Sequence, residues 1–342
     1  MKPMPGDTVA EFPLTAISDP GAFRKEVIEP CRPAIIRAAC ANWPAHIAAR
    51  QSNRHLREYL CAFDNGQRAQ GFVGDESISA RYHYGAGPDG FNFKREIMGI
   101  AEALKRIERC ADNPSLGTVY MGSLPAESHM PGFAEANCLP FVPRSARPRL
   151  WIGNASAVAC HYDTFDNLAC VVAGRRTFTL YSPSAIGDLY VGPIDHTMAG
   201  QPVSLAAGSE PGDPRYPRFD VIRERALVVE LYPGDALYLP KLWWHQVEAK
   251  GDLNLLVNYW WDAFASGPDA PFTAMMLAMI AIAERPEPER AAWRSFFDHY
   301  VFRPEGHPLA HLPEEQHGIL GPLDQGNYGR IRAMVMQLLR GN

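Results

Sequence analysis

The chain has 342 residues, 46% hydrophobic and 21% charged, with 28 Gly and 30 Pro, a balance that excludes collagen-like, coiled-coil and disordered classes. The length suffices for one large unit with an appendage. The formal net charge of −5 supplies no general basic field for phosphate contacts, so no strong nucleic-acid signal is present.

The opening residues, Met1 to Thr8, lead into no apolar run of the kind a secretory signal needs. A helix is expected from Pro20 to Ile28, a short strand over Ala34 to Arg37, and a turn at Asn42-Trp43-Pro44. From Glu96 to Arg109 the apolar positions Ile97, Ile100, Leu104 and Ile107 follow helical spacing and predict one buried stripe. Thr118 to Met121 reads as a strand, and Pro125 to Pro148 as a long Pro-rich connection.

Between Arg149 and Trp261 the texture turns to short β-rich runs: Arg149 to Asn154, Leu168 to Ala173, Thr177 to Tyr181, Leu227 to Tyr232, Ala236 to Leu239 and Leu253 to Trp261. Such repetition predicts a barrel or sandwich. Ser182 to Arg225, rich in Gly, Pro and Ser, reads as a long surface insertion. Helical patterns return over Pro271 to Glu284, Glu289 to Tyr300 and Tyr328 to Leu339. The apolar stretch Pro271 to Ala283 is too short to span a bilayer and is expected to be a buried helix, so no membrane association is expected. The seven cysteines are odd in number and widely spaced, with no C-x-x-C. That argues against a disulfide framework or structural zinc and for a reducing, cytoplasmic setting.

The most informative pair of segments is Cys160-His161-Tyr162-Asp163 and Trp243-Trp244-His245. On extended chain, residues two apart share a face, so His161 and Asp163 can present an imidazole and a carboxylate to one point. With His245 from a neighbouring strand they make two histidines and one carboxylate, the facial ligand set of non-haem Fe(II) oxygenases. A lone H-x-D is common by chance, and the plainer alternative for His161 is a hydrogen-bonded strand histidine. In the run after Gly174, Arg176 shares parity with Phe178 and Leu180, and a cation buried there needs an anion; the alternative is a strand-end guanidinium reaching water. Asn254, Leu256, Asn258 and Trp260 also share one parity, which suggests a polar ligand inside, unless the amides are satisfied by backbone. Pro233-Gly234-Asp235 reads as a turn, with Asp235 a turn residue rather than a ligand.

The ordered motifs His161-Tyr162-Asp163, Asn167, Gly174 to Phe178, Pro233 to Pro240, Trp243-Trp244-His245 and Val257-Asn258-Tyr259-Trp260 resemble the JmjC/cupin-8 family of Fe(II)- and 2-oxoglutarate-dependent oxygenases, in a pattern similar to that of an asparaginyl hydroxylase. The resemblance covers roughly Arg149 to Trp261. It implies a mainly β fold with flanking α: a double-stranded β-helix core at about 149–262 within a catalytic domain of residues 1–262, with N-terminal mixed elements and C-terminal helices at 263–342 that serve dimerisation. It implies His161, Asp163 and His245 as Fe(II) ligands, with Arg176, Asn167, Asn258, Tyr120 and Trp260 around 2-oxoglutarate, and O2 as oxidant. The expected reaction is hydroxylation of a substrate C–H, on a protein side chain or a small molecule, coupled to decarboxylation of 2-oxoglutarate.

Two positions depart from that pattern. Arg176 stands where a Lys is common, which keeps the charge but changes the shape of the carboxylate grip, and Val158 stands where a hydroxyl residue is found. A cupin enzyme using another small molecule, and a non-catalytic cupin-fold binding protein, are the competing expectations. The histidines His299, His307, His311 and His317 are expected in an exposed loop rather than a second metal site.

Overall fold

The computed structural model describes residues 8–17, 19–85, 90–195, 197, 200–265 and 267–341; residues 1–7 of the opening segment lie outside it. The chain forms two compact units, Met1–Ala263 and Phe264–Asn342. Twelve described strands build the first unit: β1 Ala10–Pro13, β2 Ala34–Arg37, β3 Arg68–Gly74, β4 Arg81–Tyr82, β5 Lys94–Gly99, β6 Thr118–Pro125, β7 Arg147–Gly153, β8 Ser156–His161, β9 Asp166–Tyr181, β10 Leu227–Leu231, β11 Ala236–Leu239 and β12 Trp244–Trp261. They follow the order β1-β2-β11-β9-β12-β7-β6-β3-β5, with β10 on β9 and β8 bridging β12 to β4. This is the mainly β architecture with flanking helices that the short β-rich runs predict.

Strands β9 and β12 are the spine. Each was expected as shorter runs, and each is one long strand that bends. The first half of β9 pairs β11 and the second half of β12, while its second half pairs β10 and the first half of β12. At the bend Gly174 has φ +76°, and a Cβ there would stand 1.9 Å from Asn254 Oδ1, so only glycine fits. The irregularity shifts parity: Ala169 and Val171 face the barrel interior before the bend, and Phe178 and Leu180 after it. Leu168, Cys170 and Val172 turn the other way, onto a larger core shared with the helices Pro44–Gln51, Asn53–Phe63 and Ile100–Asp112. Both faces of this half of β9 are therefore buried, which explains its nearly unbroken apolar run.

The helix expected over Glu96 to Arg109 begins later, at Ile100, and runs to Asp112. Residues Lys94–Gly99 form β5 on β3, and Ile97 is 59% exposed rather than part of the stripe. Ile100, Ala103, Leu104, Ile107 and Cys110 make the buried face. The alternation Lys94 to Gly99 is too brief to break the helical period, so strand pairing decided the conformation. The connection Pro125 to Pro148 contains two short helices, Ala126–His129 and Phe133–Ala136. The insertion 182–225 is more than surface: Leu189, Ala206, Phe219 and Ile222 form a small core with Tyr162 and Trp244.

In the second unit, Pro271–Ile282 is a helix with no buried residue, and Met275, Met276, Met279 and Ile280 are exposed. The expectation of a buried helix is corrected: its apolar residues lie all round the helix, and among the described residues none of them is buried. Glu287–Phe297 and Asn327–Leu339 are the other main helices.

Asp235 is the turn residue expected. Its carboxylate accepts from Arg37 Nη1 at 2.6 Å, from the Ala38 N–H at 3.1 Å and from the Tyr232 N–H at 3.2 Å, tying the β10–β11 turn to the end of β2. D235A would strand two backbone donors and leave Arg37 with Glu11 as its one carboxylate partner among the described residues, so a loss of about 1–3 kcal/mol in urea-denaturation stability is expected. A change under half a kilocalorie would show that solvent replaces the carboxylate without cost.

Candidate metal and anion site

The site begins with strand register. His161, the last residue of β8, is directly opposite His245 of β12. Cross-strand neighbours hold their Cβ atoms about 5 Å apart, and the two imidazole centroids are 4.3 Å apart. A bulge between His245 and Val247 makes Val247 pair with Val158, so Val158 and His161, three residues apart, both face inward. Asp163 follows just after β8 rather than within it. Its carbonyl accepts from the Leu242 N–H at 2.8 Å, which fixes it to the turn entering β12. The intervening Tyr162 points away and packs on Trp244, with ring centroids 4.8 Å apart.

Among the described residues, His161, Asp163 and His245 are the one group of three such side chains placed to share an ion, their ligand atoms lying within 4.8 Å of one another. His245 Nε2 is 3.8 Å from Asp163 Oδ2. Adjacent ligands of an octahedral ion with bonds of about 2.1 Å are about 3 Å apart, so a closure of an ångström or so completes the geometry. Both imidazoles are oriented by backbone: His161 Nδ1 is 2.8 Å from the Ala159 carbonyl, and His245 Nδ1 is 3.0 Å from that of Trp243. Donating there leaves each Nε2 lone pair for a metal. Burial pushes the His245 imidazolium down to about 3, helped by His161, so the ring is neutral and ready to ligate. Burial raises the Asp163 carboxyl above its usual range, against the pull of His161 and of a hydrogen bond from Asn167. A cation between the three groups removes that penalty.

A cavity of about 120 Å³ adjoins the triad, and Asn167, Arg176, Asn258, Tyr120 and Trp260 all line it. A single water needs roughly 10–15 Å³ on this measure, so a small organic anion is accommodated. Arg176, 2% exposed, lies beside the Tyr120 hydroxyl, and among the described residues its Nε is without a partner, as are Asn167 Oδ1 and Trp260 Nε1. Burial lowers the Arg176 guanidinium from its usual range, but a guanidinium keeps its proton. Burial pushes the Tyr120 hydroxyl up to about 12, so it stays a donor at neutral pH. A buried cation with an unpaired Nε–H, and the unpaired Trp260 Nε1–H on the same cavity, fit a bound anion. Asn258 Oδ1 accepts from Trp151 Nε1 at 2.8 Å, which fixes the wall between them. Asn254, expected on the same face, sits instead at the Gly174 corner, donating to the Gly251 carbonyl.

Trp151 also lines the cavity, as do Phe72, Tyr82 and Phe93 from the N-terminal strand region and Gln201 and Val203 from the insertion. Trp151 was legible in principle, since Leu150 and Ile152 are fully buried on the opposite parity of β7. The others carried no local signal. Val203 reaches the site by bridging to His161. Of the four C-terminal histidines, His307 and His317 stack with centroids 4.3 Å apart, each with its Nε2 at a backbone carbonyl.

A barrel of bent double-length strands with a His–Asp–His cluster at the β8–β12 pairing defines a cupin-type protein. The cupin-like domain model of the cupin-8 family matches residues 20–267, and the chain belongs to this JmjC/cupin-8 family. It is 32% identical over 146 residues to lysine-specific demethylase JMJ31 of Arabidopsis thaliana, covering 42% of this chain and 25% of that protein. It is 27% identical over 278 residues to bifunctional peptidase and (3S)-lysyl hydroxylase JMJD7 of Homo sapiens, covering 70% of this chain and 80% of that protein. To HSPB1-associated protein 1 of Homo sapiens it is 31% identical over 150 residues, covering 42% and 30%. The chain thus spans less than a third of the first and third of these relatives and most of the second.

Desolvation of Arg176 yields a stability prediction. R176M keeps the volume and removes a buried charge, so the ligand-free protein is expected to gain about 1–2 kcal/mol in urea denaturation. A loss would mean that the electrostatic contact with Tyr120 outweighs desolvation.

Proposed function

We propose that the protein is an Fe(II)- and 2-oxoglutarate-dependent oxygenase acting as a hydroxylase. The observation that carries this reading is Arg176, a buried cation with an unpaired Nε in the same cavity as the three ligand atoms. His161 and His245 would hold iron through Nε2 and Asp163 through its carboxylate. Arg176 and Tyr120 would grip the distal carboxylate of the cosubstrate, with Asn167, Asn258 and Trp260 completing the walls. With iron, 2-oxoglutarate, Asp163 and Arg176 together the charges cancel, as a water-poor site requires. When bound, iron and 2-oxoglutarate supply the oxidation, in which O2 converts 2-oxoglutarate to succinate and CO2 while a substrate C–H becomes C–OH. The chain's own part is to hold the triad on one face of the ion, pin the anion and exclude water with aromatic walls. A cupin chemistry without a dicarboxylate leaves Arg176 unexplained. The names of two relatives, a lysyl hydroxylase and a lysine demethylase, support a protein side chain as substrate.

We place the protein in a reducing, cytoplasmic setting because all seven cysteines are free; among the described residues no helix is long and apolar enough to cross a membrane. The exposed Met275, Met276, Met279 and Ile280 support self-association of the 263–342 region as a homodimer. Light scattering at micromolar concentration is expected to give twice the chain mass, and a monomer would sink the dimer.

The function is tested by anaerobic titration of the apo-protein with Fe(II) and then 2-oxoglutarate. A visible metal-to-ligand charge-transfer band is expected, absent in H161A and needing at least about 30-fold more 2-oxoglutarate in R176M. Iron binding without the band would make a cupin using another small molecule the better account.

A further inference from the structure

The cavity's charge balance restricts what can enter it. Among the described residues its charged side chains are Asp163 and Arg176, one of each sign. The balance is zero without iron and 2-oxoglutarate, and zero again with both. We propose that the substrate group entering this cavity is uncharged, with an apolar body and a neutral hydrogen-bonding head read by Gln201, and that ammonium and guanidinium groups are excluded. This rests on the cavity being the active site of the oxygenase proposed above.

Three observations carry it. First, among the described residues the only carboxylate at the cavity is Asp163, which iron would take in the loaded protein, so none is spare there. Val247 lines it, but the next residue of β12, Glu248, turns to a separate outer groove, where it accepts from Gln246. A cation entering the cavity would therefore stay unpaired in a desolvated space. Second, the aromatic residues of the N-terminal wall do not offer a substitute, and on the other side Trp151 packs on Tyr120 and Trp260 with centroids 5.9 and 6.0 Å apart. Phe72, Tyr82 and Phe93 pack edge to face on one another, with centroids 6.5, 5.2 and 5.3 Å apart. Rings in mutual contact fill their own centre, whereas a cage for a methylated ammonium needs faces around an open one. Third, the insertion presents one polar side chain, Gln201, which forms no hydrogen bond among the described residues. Its position is fixed nearby, because Val203 bridges to His161 and the Ser204 N–H donates to the Cys160 carbonyl at 2.7 Å. A carboxamide both donates and accepts, so it matches an amide or hydroxyl and gives no compensation to a cation.

The test uses the full chain, loaded anaerobically with Fe(II) and 2-oxoglutarate and also metal-free, titrated with four probes at constant ionic strength. Butyramide and 1-butanol represent neutral heads; butylammonium and tetramethylammonium represent cations. Probe binding is read as a shift in Tm and, in the loaded sample, as a change in the visible band. Neutral probes are expected to act at concentrations at least tenfold lower than the cations, and Q201E to reverse that order for butylammonium against butyramide. Cations acting as well as neutral probes, Q201E leaving the order unchanged, or none of the probes shifting Tm would each overturn the proposal. Absence of the visible band overturns the oxygenase reading alone, since Q201E and the unaltered chain share the same Asp163, and the Tm of the metal-free protein still reads the difference between them.

Discussion

The pairing of β8 with β12 that sets His161 opposite His245 is the constraint on which the site depends. Side-chain direction in a strand has period two, so a slip of one residue would turn one imidazole out of the barrel. Several features guard against that slip. The Gly174 corner fixes where β9 bends, and β12 pairs with β9 along both arms of that bend. Asp163 is held by the Leu242 N–H in the turn that starts β12. The three ligand atoms are therefore gathered by backbone pairing before any ion arrives.

Arg176 is the second element of the site and the least stable in isolation. It lies on the β9 arm beyond Gly174, opposite Ala249 of β12 and Leu231 of β10. The Tyr120 hydroxyl on β6 faces it, and its Nε has no partner among the described residues. A group so placed costs folding free energy, which is consistent with a role in binding rather than in holding the barrel. The same burial that penalises the charge makes an anion's attraction to it strong and keeps Tyr120 protonated as a second donor.

The motif segments of this architecture were legible because each is local. The H-x-D run, the glycine before Arg176, the Pro-Gly-Asp turn and the Trp-Trp-His run each report a turn or a strand end whose geometry involves few residues. Parity placed Arg176 with Phe178 correctly since both lie beyond the bend, and Asn254 keeps the register of Asn258 against β7 but lies at the Gly174 corner rather than on the cavity. The start of β5 was misread as helix because Ile97 fits a helical period by coincidence, and only its pairing with Gln70 of β3 decides otherwise. Phe72, Tyr82, Phe93 and Gln201 were silent, since nothing near them in the chain says which distant strand they meet.

That division has a physical consequence for selectivity. The ligands and Arg176 lie on or directly against β8, β9 and β12, and β9 and β12 are the most extensively paired strands, where movement of one residue is resisted by its neighbours on both sides. The cavity mouth is drawn from β3, the segment holding Phe93 and the insertion, and of these the insertion is joined to the barrel beside the site through bridge-like contacts at His161 and Cys160. Changes of charge or shape at the mouth can therefore occur without disturbing the triad, whereas changes in the spine cannot. In this fold the triad and the outer walls of its cavity are borne by separate elements, so the proposed chemistry does not by itself fix the proposed substrate, and membership of the family does not by itself carry over the lysine targets named for two of its relatives.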